Sequence, residues 1–169
     1  IAQAIGDAAL RGHHSVLAQR LATWPAPDQA VARRYALRHA LMHRAEAGDW
    51  ADAWRIAADT SFLEAKCREF GAHELEADVT RVAERCRAAG NATIGNRCSD
   101  LARALVRESH WLRAAPEATA AVQWNRLRRS GWSEHDLSSQ LRAPIDTAFL
   151  RVRHTARRSG VTVSGEASM

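Results

Sequence analysis

The sequence predicts an all-α fold, a stack of helical hairpins or helical bundle of roughly eight or nine helices, and three observations carry that expectation. Ala, Leu, Arg and Glu dominate the chain. Apolar residues recur at helical spacing nearly throughout, and the β-branched and aromatic alternation of a half-buried strand is missing. Most Gly and Pro residues fall at the ends of the periodic segments or between them.

Taken in order, residues 2–11 and 14–24 read as two short helices parted by Gly12, with Pro25 and Pro27 closing the second. Asp28 is the expected N-cap of a longer helix reaching about Ala47, with Leu37, Ala40 and Leu41 on one face and Gly48 as its stop. Asp49 starts the next, where Trp50, Ala53, Trp54 and Ala57 form a stripe at i, i+3, i+4 and i+7. Two indoles on one stripe need a large groove. Ser61 and Glu64 have capping-box spacing for a helix ending at Gly71. From His73 to Ala89, Leu75, Val79, Val82 and Cys86 share one side, and Gly90 closes that helix.

The stretch 90–96, Gly-Asn-Ala-Thr-Ile-Gly-Asn, is rich in turn formers and reads as a seam or long loop. Beyond it, Asp100–Arg113 and Pro116–Arg129 are two helices, Pro116 being placed at a first helical position. Ser133 with Asp136 caps a short helix to Leu141, and Pro144 opens a last turn. The expected organisation is therefore N-terminal helices over 1–24, a first helical subdomain over 25–90, a second over 97–150, and a linker or tail over 151–169.

Charge and composition narrow the function classes. The net charge is +5, yet residues 1–96 hold 12 basic and 12 acidic side chains while 97–160 hold 12 basic and 6 acidic, so the excess lies in the second half. Of 24 basic residues only Lys66 is a lysine, which points to an Arg bias over the whole chain rather than to phosphate recognition. No stretch of uncharged apolar residues reaches membrane-spanning length, and no membrane partner is expected. Three cysteines, Cys67, Cys86 and Cys98, form no C-x-x-C pair and read as reduced core filler in a cytoplasmic protein. The chain opens on Ile1 without a charged-then-apolar leader, so a segment of a longer protein is expected.

No catalytic constellation has the required spacing, and no enzyme activity, metal or cofactor is expected of this chain. Lys66 sits inside a helix, not behind a glycine-rich phosphate loop. His39 and His43 lie at i and i+4, which can hold a metal, but Ala40 and Leu41 stand where a zincin has its glutamate, and an interface role is expected. His13 and His14 read as a loop pair. Glu74, Glu76 and Asp78 read as a solvated helix face. The run from Trp124 to Trp132, with Arg126, Arg128 and Arg129, has the residue types of a single-strand stacking platform. Inward packing of Trp124 and Leu127 with wet arginines is the favoured alternative, so nucleic acid is not the expected partner.

Two stretches resemble a known family. Tyr35-Ala36-Leu37-Arg38-His39-Ala40-Leu41-Met42-His43, Ala47-Gly48-Asp49-Trp50, Phe62-Leu63-Glu64-Ala65-Lys66-Cys67 and Gly71-Ala72, followed by Ser109-His110-Trp111-Leu112, Pro116-Glu117-Ala118 and Trp124-Asn125-Arg126-Leu127, occur in one order. Over roughly 28–150 this resembles the helical arm of STAND-type NTPases related to the apoptotic protease-activating factor, in bacterial members with a WD-repeat sensor. Ala40 departs from the leucine usual after Arg-His. The resemblance implies a non-catalytic scaffold between a nucleotide-binding switch and a sensor. Residues 1–24 would end a winged-helix part and 151–169 lead to a propeller. ATP or ADP would belong to a domain outside this chain. Partners would be neighbouring domains of the same parent, with homo-oligomers on activation. Two other readings stand beside it. One is a tetratricopeptide-like adaptor, from Gly48-Asp49-Trp50-Ala51-Asp52-Ala53. The other is a basic nucleic-acid module using Arg126, Arg128, Arg129, Arg151, Arg153, Arg157 and Arg158. The residues expected at interfaces or in packing are Trp50, Trp54, His39, His43, Trp111, Trp124, Arg128, Arg129 and Trp132.

Overall fold

In a computed structural model the described residues are 2–25 and 29–141, with side chains from residue 6 onward. They form eight α-helices and no strand: α1 Ala2–Arg20, α2 Ala30–Glu46, α3 Trp50–Ala57, α4 Thr60–Phe70, α5 Ala72–Ala88, α6 Ala92–Ala114, α7 Thr119–Arg129 and α8 Glu134–Gln140. A 3-10 turn, Pro116–Ala118, leads into α7. None of these helices is long and apolar enough to cross a membrane.

Several boundaries follow from local chemistry. Asp49 caps α3 by accepting from the Asp52 amide at 3.3 Å, and Ser133 and Asp136 form a reciprocal capping box on α8. Gly71, at φ +87°, is by itself the junction of α4 and α5. Such a φ is in the region where a Cβ is disfavoured, so one glycine turns the chain without a loop.

Four expectations are corrected. Residues 2–11 and 14–24 are not two helices, because α1 runs unbroken through Gly12. A glycine inside a helix costs only about 1 kcal/mol relative to alanine, and beyond it α1 packs on α2 at part-buried His14 and buried Ala18. Helix α4 is capped by Asp59, whose carboxylate accepts from the Ser61 amide at 2.9 Å and the Phe62 amide at 3.3 Å. The capping box expected at Ser61 therefore does not form, and Glu64 instead pairs with Arg68 at 2.7 Å. The seam expected over 90–96 is a short turn at Gly90, after which Asn91 caps α6 by accepting from the Ile94 amide at 3.2 Å. The expected Pro116–Arg129 helix begins as the 3-10 turn. Asp28 and Pro144 lie outside the described residues.

Among the described helices α5 and α6 pack most extensively, and at Gly95 their backbones come close. A Cβ there would lie 2.8 Å from Arg87 Cγ and 3.2 Å from the Ala83 carbonyl oxygen. One hydrophobic core runs from Ala22 and Trp24 through Leu41, Phe62, Leu75, Val82, Leu105 and Trp124 to Leu141. The described parts of 25–90 and 97–150 thus share a single core.

Within that core lies a charge. Lys66 is fully buried on α4. Its ammonium donates to the carbonyl oxygens of Leu37, at 3.0 Å, and Arg38, at 3.3 Å, and to the Asp78 carboxylate. The nitrogen also sits 5.9 Å and 5.8 Å from the ring centroids of Phe62 and Phe70. Asp78, read from sequence as part of a solvated face, is buried.

Removing one partner of a buried ion pair leaves the other uncompensated. Lys66→Met is therefore expected to lower stability by about 3–5 kcal/mol, and Lys66→Met with Asp78→Leu to recover most of that loss. Urea unfolding checks both, and equal stability of the single and double variants would contradict the assignment. Gly95→Val is expected to cost about 1–3 kcal/mol by forcing α5 and α6 apart. An unchanged denaturation midpoint would show that the approach is not tight.

Candidate functional site

The residues singled out in the sequence divide between the core and three surface features. Trp124 and Leu127 are buried. Arg126 pairs with the buried Glu108 of α6, and Arg128 donates to the Trp132 carbonyl oxygen at 2.9 Å. Arg129 is exposed. The run 124–132 therefore packs inward, and its arginines chiefly brace α7 against α6 and the turn before α8.

Trp54 is buried, with its ring 6.2 Å from that of Trp132. The Arg97 guanidinium lies 5.9 Å from the Trp54 ring centroid. The Trp132 indole N–H donates to Asp100 Oδ2 at 2.9 Å. The groove that Trp54 needs is thus supplied by this chain's own α6 and α7–α8 turn. Trp50, one turn earlier, is half-buried and lines an open cleft of about 470 Å³ with Leu10, Ala45, Ala88 and Ala89. Charges rim it, and two of them, Glu46 and Arg85, pair at 2.8 Å. Trp111, on α6, is 60% exposed and lies against His110 at 5.3 Å between centroids.

The third feature joins α1 to α2. His43 Nδ1 lies 2.8 Å from Nδ1 of His14, and its Nε2 lies 3.1 Å from the Tyr35 hydroxyl. His39 adds its ring at 5.8 Å from His43 and 4.6 Å from Tyr35. Partial burial, followed by the neighbouring Arg38 and Lys66, holds the His39 imidazole below its ordinary range. Partial burial, followed by His14 and His39, does the same for His43. The spacing of His39 and His43 was legible in the sequence. The part played by His14 was not, because a break at Gly12 left it in a loop; a continuous α1 puts His14 one turn before Ala18 on the α2-facing side.

Among the described residues no three His, Cys, Asp or Glu side chains are placed to share a metal ion. Gln123 is fully buried with neither end of its amide partnered, an arrangement that costs about 1–3 kcal/mol.

Cys67, Cys86 and Cys98 are all free and buried. Burial raises each thiol's pKa, that of Cys98 up to about 12. Since the thiolate is the nucleophile, modification by an aromatic disulfide at pH 7.5 should run slower at each of the three than with a free thiol, most of all at Cys98, and accelerate on unfolding. Labelling of any one cysteine at the free-thiol rate in the folded protein would contradict that.

No protein-family model matches the chain, and no curated protein or solved structure is significantly similar to it.

Proposed function

We propose that the chain is a non-catalytic helical arm, a scaffold that links the nucleotide-binding switch of a signalling STAND NTPase to its sensor. What supports this reading is the place of the residues that carry the resemblance. Leu37, Phe62, Cys67 and Ala72 are buried in the one core and Tyr35 packs against it, and Lys66 bonds to backbone oxygens of the Tyr35–His43 stretch. Trp124 and Leu127, from the second stretch, are buried in the same core. A pattern shared with the family for its packing predicts this distribution; a pattern shared for catalysis predicts side chains converging on a cleft.

The mechanics fit. A core continuous from Trp24 to Leu141 lets a displacement at one end pass to the other as rigid-body rotation. On this reading the partners are neighbouring domains of the same cytoplasmic parent, Trp50 and Trp111 are the anchors offered to them, and ATP or ADP binds outside the chain. Trp132, Arg126 and Arg128 are engaged internally, which leaves a nucleic-acid module with less to recommend it.

Calorimetric titration of the chain with ATP and with ADP should give no heat of binding at ligand concentrations up to the millimolar range. Micromolar affinity for either nucleotide would overturn the proposal.

A further inference from the structure

Helix α1 has α2 as its one extensive packing partner among the described helices. Its C-terminal end is fixed by buried Ala18 and Ala22 and by the Arg44 guanidinium, which donates to the Ala18 carbonyl oxygen at 3.5 Å. Further toward the N-terminus the side chains from Gly6 to His13 are exposed. The polar contact nearest that exposed stretch is the one between the imidazoles of His14 and His43.

The chemistry of this contact is unusual in its dependence on protons. Two ring nitrogens 2.8 Å apart need one proton between them, one nitrogen donating and the other accepting. Two neutral imidazoles satisfy this, and so does one imidazolium with one imidazole. Two imidazolium rings do not, because both nitrogens then carry N–H and neither can accept. The other nitrogen of His43 is held at 3.1 Å from the Tyr35 hydroxyl, so the ring cannot turn to relieve the clash without losing that bond.

We propose that the His14–His43 contact is an acid-released latch that holds the middle of α1 on α2. The surrounding charges favour release. From α2 itself, His39 disfavours a charge on His43, while Glu46 favours one and is already paired with Arg85 of α5. Arg44 is committed to Asp49 and Asp52. At His39, Arg38 of α2 and Lys66 of α4 act against a proton, while Asp78 and Glu74 of α5 act for one. The His43 imidazole is depressed below its ordinary pKa, so the docked state favours its neutral form. That contribution is fully present above about pH 6.5 and declines as pH falls through the depressed value, and the bond between the rings goes with it only when both carry a charge.

The test is amide hydrogen exchange of the full chain at pH 7.5 and pH 5.0, corrected for intrinsic chemical exchange. Residues 6–17 are expected to lose protection at least tenfold at pH 5.0 while α4, α5 and α6 keep theirs. His14→Gln and His43→Gln, made separately, should each abolish the acid-specific loss, and His13→Gln should leave it intact. The latch is overturned if the wild type shows no loss, if the loss persists in both glutamine variants, or if His13→Gln abolishes it. It is equally overturned if α4–α6 lose protection together with α1, since that is global acid unfolding.

Discussion

The ammonium of Lys66 is the interaction on which the arrangement of α2, α4 and α5 depends. A buried charge is costly to desolvate, and the cost is offset only when every donor finds an acceptor. Here the match is complete, with three donors meeting the oxygens of Leu37, Arg38 and Asp78. Each acceptor constrains a different degree of freedom. The two carbonyls fix where along α2 the middle of α4 sits, and the carboxylate fixes the rotation of α5 about its axis. The rings of Phe62 and Phe70, both on α4, complete the cage from the lysine's own helix. The pair contributes more to uniqueness of packing than to net stability. A slipped register of either helix would strand a charge.

This also gives a physical reason for the single lysine in a chain that otherwise uses arginine. A guanidinium is planar, carries five donors in a fixed fork and suits bidentate partners. The cage offers two backbone carbonyls and one carboxylate oxygen around a point, which a compact ammonium with three rotatable donors can satisfy. Arginine serves where its shape is useful. Arg34 and Arg38 lie over the Phe70 ring, Arg97 lies over Trp54, and Arg126 reaches Glu108. The basic excess of the second half, which invites a phosphate reading, is in part this bracing of aromatic and acidic neighbours.

What could be read from the sequence were features determined within a few residues. The Asp49 cap, the Ser133–Asp136 box, the Gly48 and Gly90 stops and the apolar faces of α2, α3 and α5 all follow from local chemistry. Misread were the places where a distant partner overrides a local preference. Gly12 does not break α1, which packs on α2 at His14 and at Ala18. Residues 92–96 have turn-former composition, yet they are helical because Gly95 permits the closest approach of α6 to α5. Asp78 falls in an acidic stretch and is buried because a lysine 12 positions earlier needs it. The histidine cluster was half legible for the same reason: its α2 members share a helix face, and its α1 member is brought to them only by tertiary docking.

The long-range contacts separate the chain into parts of unequal stiffness. Trp54 on α3 meets Trp132 beyond α7, Trp132 reaches back to Asp100 on α6, and Trp24 packs edge-on against Phe62 on α4 at 5.2 Å. These ties join α3, α4 and α6 to the residues before α2 and after α7, and none of α3 to α7 can move without breaking contacts to at least two other elements. Helix α1 is the exception. It packs extensively on α2 alone, through buried Ala18 and the part-buried His14 that meets His43, while residues 6–13 are exposed. Small side chains give little apolar area, about 25 cal/mol per Å² buried, so the free energy docking this helix is modest and a single polar contact is a substantial fraction of it. An element so held opens at lower free energy than the helices tied into the core.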